Sequence, residues 1–370
     1  MSYPHSIRLR GPWHYEVLGQ TAPAGTSQVG RVGRMQIPAD WGRELGQEFR
    51  GAVRFRRTFH RPTRLDPQER VVLVGEGADA AAEVSLNDQP LGSIAGYALP
   101  LRADVTKQLA GENVVQVDVS CLGGDEESPA LISRPGRKEL PGGLLREVRL
   151  EILSTHWVDD LCLTVALDEH QAKPRLHVSG RVEGAGDEGL ELLIKSGRRE
   201  LHHAQLAGRG PTMVAVEVDD FCRWLSNVVP RIEPVEIRLL RGGVAIWEAT
   251  RLTAARAVAW DGSERRLTVD GHAVQIDAGE EGTDQENRAT ATWAEQIHTA
   301  EDYERLDRTG QMLIQCVPAA WADVVCRRLA HHPSIVAWGA STTEQEELAG
   351  KMAPLLRDGR PWLSRAWLEC

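Results

Sequence analysis

The side chains that could do chemistry in this sequence are few and scattered. The run Asp277-Ala-Gly-Glu-Glu-Gly-Thr-Asp-Gln-Glu286 offers five carboxylates, enough to suggest a metal site or paired acid/base work. Charge runs of this kind are usually solvated loops, and that is the expectation here. His202-His203 and His331-His332 are adjacent pairs, and neighbours on a strand point to opposite faces, which suits chelation poorly. Six cysteines, Cys121, Cys162, Cys222, Cys316, Cys326 and Cys370, include no C-x-x-C pair. They read as small hydrophobes in a reducing compartment, so the expected location is cytoplasmic. Neither G-x-S-x-G, P-loop, H-E-x-x-H nor a dinucleotide-type glycine motif occurs, and no cofactor or metal is expected. Eleven Trp stand against four Phe and four Tyr. Trp stacks well on sugar rings but is also a common core plug, and for any single Trp the core is the default.

The elements that must position these groups change character along the chain. Apolar or alternating runs at Gly51–Phe59, Glu69–Val74, Ala82–Leu86, Val114–Val119 and Arg146–Leu153 are separated by turn signals such as Asn87-Asp88 and Pro141-Gly-Gly143. That spacing predicts an all-β sandwich over residues 1–154. A second β-rich region, 155–258, has strands at 161–167, 175–182, 190–195, 213–218, 234–240 and 244–249, as an immunoglobulin-like sandwich would. After Trp260 a hairpin over Asp270-Gly271 precedes helical patterns at Ala289–Thr309, Ala319–Ala330 and Thr343–Leu356. Each is followed by one apolar strand, at 312–317, 334–338 and 361–366. Such alternation predicts a small parallel α/β sheet of three or four strands. The 370 residues carry a formal charge of −10, which argues against a nucleic-acid partner. No apolar run approaches the ~20 residues a membrane helix needs, and the first ten residues show no signal-peptide h-region.

Several local strings, in one order, resemble glycoside hydrolase family 2, the β-galactosidase and β-glucuronidase family. Gly11-Pro-Trp13, Ile37-Pro-Ala-Asp-Trp41 and Gly51-Ala-Val-Arg-Phe-Arg-Arg-Thr-Phe59 are similar to the family's opening "G-x-W … P-x-x-W … G-x-x-W-Y-R-R-x-F". Glu83–Gly92, Leu101–Asn113 and Gly142–Val148 resemble its "V-W-L-N-G", "D-V-T … G-x-N" and "G-G-I-x-R-x-V" strings. Asn87-Asp88 is expected to turn a hairpin, Asp104 and Thr106 to cap a turn, and Arg146 to pair inside the sandwich. Later, Arg266–Val274, Leu306–Ile314, His332-Pro-Ser-Ile-Val-Ala-Trp338 and Arg360-Pro361 resemble the strings that lead into and through the family's catalytic barrel. The resemblance implies three regions: 1–154, a jelly-roll, sugar-binding-like domain; 155–258, an immunoglobulin-like sandwich; and 259–370, a truncated (β/α) barrel remnant.

The family's chemistry needs two carboxylates about 5–5.5 Å apart. Its acid/base Glu ends the string "H-P-S-I-x-x-W-x-x-G-N-E", and that register falls on Thr343 here, with Thr342 in place of Asn. Glu344, one residue on, is the one catalytic candidate, and a one-residue shift on a strand turns its side chain to the other face. It also reads as a first-turn helix acid. Residues 277–370 number 94, against ~250 for a complete barrel, and no nucleophile segment follows Arg360. Trp338, Trp362 and Trp367 are the substrate-binding candidates. The expectation is a non-catalytic carbohydrate-binding or interaction module, with a carbohydrate ligand and a homodimer through the C-terminal α/β unit as partners. The competing readings are an active β-glycosidase completed by another chain and a structural partner without sugar affinity.

Overall fold

The computed structural model describes residues 3–364 apart from 23–26, 80, 98, 122–139, 168–172, 185, 187–188, 225–229, 278–289 and 341–344. The chain divides into two compact units, Tyr3–Thr155 and His156 onward. The acidic run after Asp277, Thr342, Thr343, Glu344, Trp367 and Cys370 lie outside the described residues.

The first unit contains β1 (His5–Arg8), β2 (Gly11–Ala22), β3 (Val32–Ile37), β4 (Ala39–Asp40), α1 (Gly42–Leu45), β5 (Arg50–His60), β6 (Arg70–Gly75), β7 (Ala81–Leu86), β8 (Gln89–Ile94), β9 (Leu101–Asp104), β10 (Glu112–Cys121), β11 (Gly143–Leu144) and β12 (Val148–Leu153). A four-stranded sheet, β1-β12-β6-β9, faces a six-stranded one, β3-β2-β5-β10-β7-β8, in the galactose-binding-like jelly roll expected. Alternation decides the packing. Trp13, Tyr15, Val17, Val53 and Phe55 point inward and are buried, while His14, Glu16, Arg54 and Arg56 between them face solvent. Trp13 and Trp41 are wholly buried core plugs whose indole N–H groups donate to the carbonyls of Leu9 and Phe49. Asn87 and Asp88, at φ 51° and 63°, form the paired left-handed turn that a tight β7–β8 hairpin requires. Asp104 accepts from the backbone and hydroxyl of Thr106, and Thr106 in turn accepts from Val71 N. Arg146 lies over the Tyr97 ring, 5.3 Å from its centre.

The second unit opens with a seven-stranded sandwich: β13 (His156–Ala166), β14 (Arg175–Gly184), β15 (Leu190–Ser196), β16 (Arg199–Gln205), β17 (Gly210–Glu217), β18 (Glu233–Arg241) and β19 (Val244–Thr253). Sheets β13-β14-β17 and β16-β15-β18-β19 enclose a core of Leu163, Val178, Leu192, Ile237 and Trp247. The chain continues through β20 (Val258–Asp261), β21 (Arg266–Val269), β22 (His272–Asp277), β23 (Thr290–Ala294), α2 (Ala300–Thr309), β24 (Met312–Cys316), α3 (Ala322–Leu329), β25 (Ile335–Ala340), α4 (Gln345–Leu356) and β26 (Trp362–Ser364). These strands form one curled, half-barrel sheet in sequence order, antiparallel from β20 to β22 and parallel from β22 to β26. No helix among the described residues is long and apolar enough to cross a membrane.

Two expectations need correction. The pattern over Ala289–Thr309 is not one helix: Thr290–Ala294 is a strand, and the helix starts at Ala300. An alanine-rich strand buried on both faces lacks the alternation that marks a half-exposed strand, so helix propensity misleads there. Thr299 supplies the real start, through a reciprocal capping box with Asp302, and Gly310 at φ 83° ends the helix. The parallel sheet accordingly has five strands rather than three or four, because β22 serves both the hairpin and the parallel ladder.

Helix α2 is tied to the loop before β25 by a buried hydrogen-bonded pair. Asp307 is wholly buried; its Oδ2 lies 2.7 Å from His332 Nδ1 and its Oδ1 accepts from Ser334 N at 2.9 Å. The Tyr303 ring stacks on His332 with centroids 5.0 Å apart. Trp224, out of the sandwich, donates its indole N–H to Asp307 O. Asp307→Ala should lower the unfolding free energy of the second unit by about 3–5 kcal/mol, because it strands a buried imidazole and a backbone N–H. Urea denaturation checks this, and a loss under ~1 kcal/mol would contradict it.

Candidate functional site

A (β/α) sheet presents its chemistry at the C-terminal ends of its parallel strands. Pairing residues of neighbouring strands share a face, so the register assigns each side chain there. Ile276, Ala291, Met312, Ile314, Ala337 and Leu363 form the inner face, with Trp293, Cys316 and Gly339 at its C-terminal end. A Cβ on Gly339 would come within 3.0 Å of both Cys316 Sγ and the Trp293 ring, so glycine is what lets the indole lie across this end. Among the described residues these inner positions are apolar or a thiol. Asp277 ends β22 in the helix-side row with Thr292, and Glu295 stands exposed one residue past β23.

The opposite row faces the helices. Gln315 is wholly buried; its Oε1 accepts from Tyr303 Oη of α2 at 2.5 Å, and its amide N–H donates to the carbonyls of Ala294, Gln296 and Cys316. Trp338 pairs with Gln315 on one side and Trp362 on the other. It is wholly buried, stacked with Trp362 at 6.1 Å and covered by the Arg360 guanidinium at 5.3 Å. Trp338, expected as a sugar platform, therefore has no face to offer a ligand. Its odd-even register sends it to the helix layer, where it packs as core. Trp362 is half-buried beside it.

Cys316 is the one nucleophile type on the inner face among the described residues. Burial pushes its thiol up to about 12, so the thiolate is scarce at neutral pH and the group is a poor substitute for a carboxylate.

A second concave surface lies on the first unit, on the solvent face of the six-stranded sheet. A groove of ≈ 300 Å³ is lined by His14, Glu16, Val32, Arg34, Arg54 and Arg56. Two cross-strand rows build it: Arg34, His14, Arg56 and Gln116 in one, Val32, Glu16, Arg54 and Asp118 in the other. Arg54 is held in a two-pronged ion pair with Asp118 at 2.8 and 2.7 Å, and Arg56 donates to Gln116 at 3.0 Å. Gly33 pairs with Tyr15 on the inward face, where a Cβ would meet the Tyr15 ring at 2.7 Å, so glycine lets β3 lie against the buried ring. Sequence reasoning passed over this surface because its residues are ordinary outward positions of alternating strands, and their rows exist only across four of them.

With both surfaces defined, comparison with known proteins gives a consistent family. Residues 47–130 match the family described as glycosyl hydrolase 2 galactose-binding domain-like. The β-glucuronidase of Bifidobacterium dentium, solved with coumarin-3-O-glucuronide, superposes on 98% of this chain and 74% of its own, with a TM-score of 0.68 and 20% identity. The β-galacturonidase of Eisenbergiella tayi gives 0.72 and 15% identity, over 96% of this chain and 69% of its own. Among curated proteins, β-mannosidase B of Emericella nidulans is 25% identical over 183 aligned positions. That alignment covers 42% of this chain and only 21% of the relative's length. Residues 47–130 thus match a glycosyl hydrolase 2 domain, and the chain shares its fold with these solved structures.

Native protein at pH 8 should be alkylated at Cys316 by iodoacetamide at least tenfold more slowly than the same cysteine in urea, read by peptide mass spectrometry. Equal rates would mean an ionised, accessible thiol at the strand ends.

Proposed function

We propose that this protein is a non-hydrolytic member of the glycoside hydrolase family 2 type that works as a carbohydrate-binding module. The observation that carries this is the composition of the inner face: among the described residues its C-terminal end is made of Trp293, Cys316, Gly339 and Leu363, whereas a retaining glycosidase needs two facing carboxylates. The family's acid/base register supports it further, since it falls on Thr343. The ligand surface in this reading is the groove of the first unit. Its guanidinium and imidazole donors, set in one row, suit hydroxyl-rich and acidic sugars. The neighbouring structures named above act on uronides, which makes glucuronate and galacturonate the first ligands to try.

The competing reading is an active β-glycosidase whose sheet is completed by another chain. What favours it is the edge strand β26, which pairs only with β25 among the described residues and carries the half-buried Trp362. An exposed parallel edge calls for a cover, and a homodimer through this sheet is the partner we propose. Free thiols at Cys121, Cys162, Cys222, Cys316 and Cys326 suit the cytoplasm in either reading.

The test is direct. Aryl β-glucuronides, β-galactosides and β-mannosides should show no turnover above background. Glucuronate or galacturonate should bind by calorimetry and lose about tenfold in affinity, ~1.4 kcal/mol, in Arg34→Ala with Arg56→Ala. Turnover that disappears in Glu344→Gln or Glu295→Gln would establish the hydrolase. Absence of both turnover and binding would leave the structural-partner reading.

A further inference from the structure

The sandwich of the second unit has β13 and β17 as the outer strands of one sheet, and β16 and β19 as those of the other. β13 packs against β19, so β17 and β16 stand together at the opposite end. An outer strand exposes a row of backbone N–H and C=O groups, and proteins blunt it with bulges, charges or a covering element. Three of these strands follow that rule. The ladders that hold β13, β16 and β19 are broken by register shifts at Asp159–Cys162, Ile194–Lys195 and Leu239–Leu240. β13 is also covered by α3, whose Arg327 donates to Asp160 O at 3.3 Å. β17 has none of these devices. Its ladder with β14 runs unbroken over eight pairs, from Gly210 opposite Val182 to Glu217 opposite Arg175. The stretch Thr212-Met-Val-Ala-Val216 is uncharged, and among the described residues β17 pairs with β14 alone.

The ladder fixes which groups are unused. Val218 N donates to Pro174 O at 2.9 Å, so alternation aims the N–H and C=O of Val216, Val214 and Thr212 at β14. The N–H and C=O of Met213, Ala215 and Glu217, and the C=O of Pro211, point at the outer edge. Pro211, with no N–H to give, sits in the row where β14 requires none. Side chains follow the same parity. Met213 is 52% exposed and lines, with Met352, Pro354 and Leu355 of α4, a groove of ≈ 430 Å³. On the other face Val214 and Val216, with Leu201 and Leu206, pack on the core yet stay only partly buried. A strand laid along this edge satisfies the backbone row and covers apolar side chains on both faces.

The edge is complementary to itself. Reversed about Val214, the segment 210–218 overlaps completely: Thr212 meets Val216, Met213 meets Ala215, and Pro211 meets Glu217. In that register each edge N–H has an acceptor. Met213 and Ala215 exchange both bonds, and Glu217 N donates to Pro211 O. One step beyond each end, Arg209, bonded to the carbonyl of Gly184, stands opposite Asp219, which is exposed beside Lys173.

We propose that β17 pairs with β17 of a second copy of this chain, antiparallel about a two-fold axis at Val214. The pairing joins two three-stranded sheets into one of six, whose outer strands are the bulged and covered β13 pair. It is isologous, so each bond occurs twice and the assembly closes as a dimer. The contact is separate from the β26 edge of the half-barrel, and it does not depend on whether the protein binds or cleaves a sugar.

The experiment uses the full chain. Sedimentation velocity over a hundredfold range of concentration should show a monomer–dimer equilibrium. Hydrogen exchange at the amides of Met213, Ala215 and Glu217, resolved singly, should slow as the dimer fills, which a dimer through β26 would not cause. Met213→Lys with Ala215→Lys sets like charges opposite one another twice in this register and should weaken the dimer at least tenfold. Met213→Lys with Ala215→Glu sets opposite charges there and should restore it. Both positions are exposed, so the two variants should share one thermal unfolding curve when monomeric. A monomer at every concentration, or a dimer whose three edge amides exchange at the monomer's rate, would overturn the proposal. Equal dimerisation of the two variants would overturn it as well.

Discussion

A carboxylate buried without partners would be forced to take up a proton or to unfold what surrounds it. Asp307 has two partners from outside its own helix, the imidazole of His332 and the backbone N–H of Ser334. Those bonds set the height of α2 against β25. They also fix where the Tyr303 hydroxyl meets Gln315, and so which rows of β23, β24 and β25 face the helices. Trp224 reaches the same residue from the sandwich, through the Asp307 carbonyl. One residue thus connects the sandwich, the helix layer and the sheet, and the parallel strands inherit their facing from it.

That facing has a chemical consequence. A parallel sheet buries both faces, so every strand position is assigned to one layer or the other, and a residue in the wrong row cannot reach the strand-end site. Trp338 shows the rule at work: it belongs to a string typical of hydrolase barrels, yet it packs between Trp362 and Arg360 on the helix side. The inner row is filled by apolar groups and the Cys316 thiol. On the helix side, α3 and α4 lie against the sandwich, where Thr164 donates to Leu356 O at 2.6 Å and Arg327 to Asp160 O at 3.3 Å. The half-barrel sheet, among the described residues, has an interior suited to packing.

Much of the first unit was legible because its information is local. Asn87-Asp88, Asp104 with Thr106, and the alternation of β5, β7 and β10 each act within a few residues, and the structure uses them as the sequence suggests. Strands β1, β2, β3, β8 and β9 were harder to see, since short or weakly alternating segments gain their order only from neighbours. In the second unit the Thr290–Ala294 strand hid in an alanine-rich pattern. The string from His332 to Trp338 was recognised, but nothing in it tells that His332 pairs with Asp307 twenty-five residues earlier. The Arg34–His14–Arg56 row shares that property: it is a meeting of segments far apart in sequence, and composition cannot announce it.

The proposal of a non-hydrolytic protein requires that no carboxylate of this chain attack a glycosidic carbon. A direct measurement is intact-mass spectrometry after prolonged incubation with activated 2-deoxy-2-fluoro β-glycosides of the glucuronic, galactose and mannose series. A retaining hydrolase forms with such compounds a glycosyl ester that breaks down slowly. The account predicts an unchanged mass with all three. A stoichiometric adduct, mapped by digestion to an Asp or Glu of this chain, would contradict it.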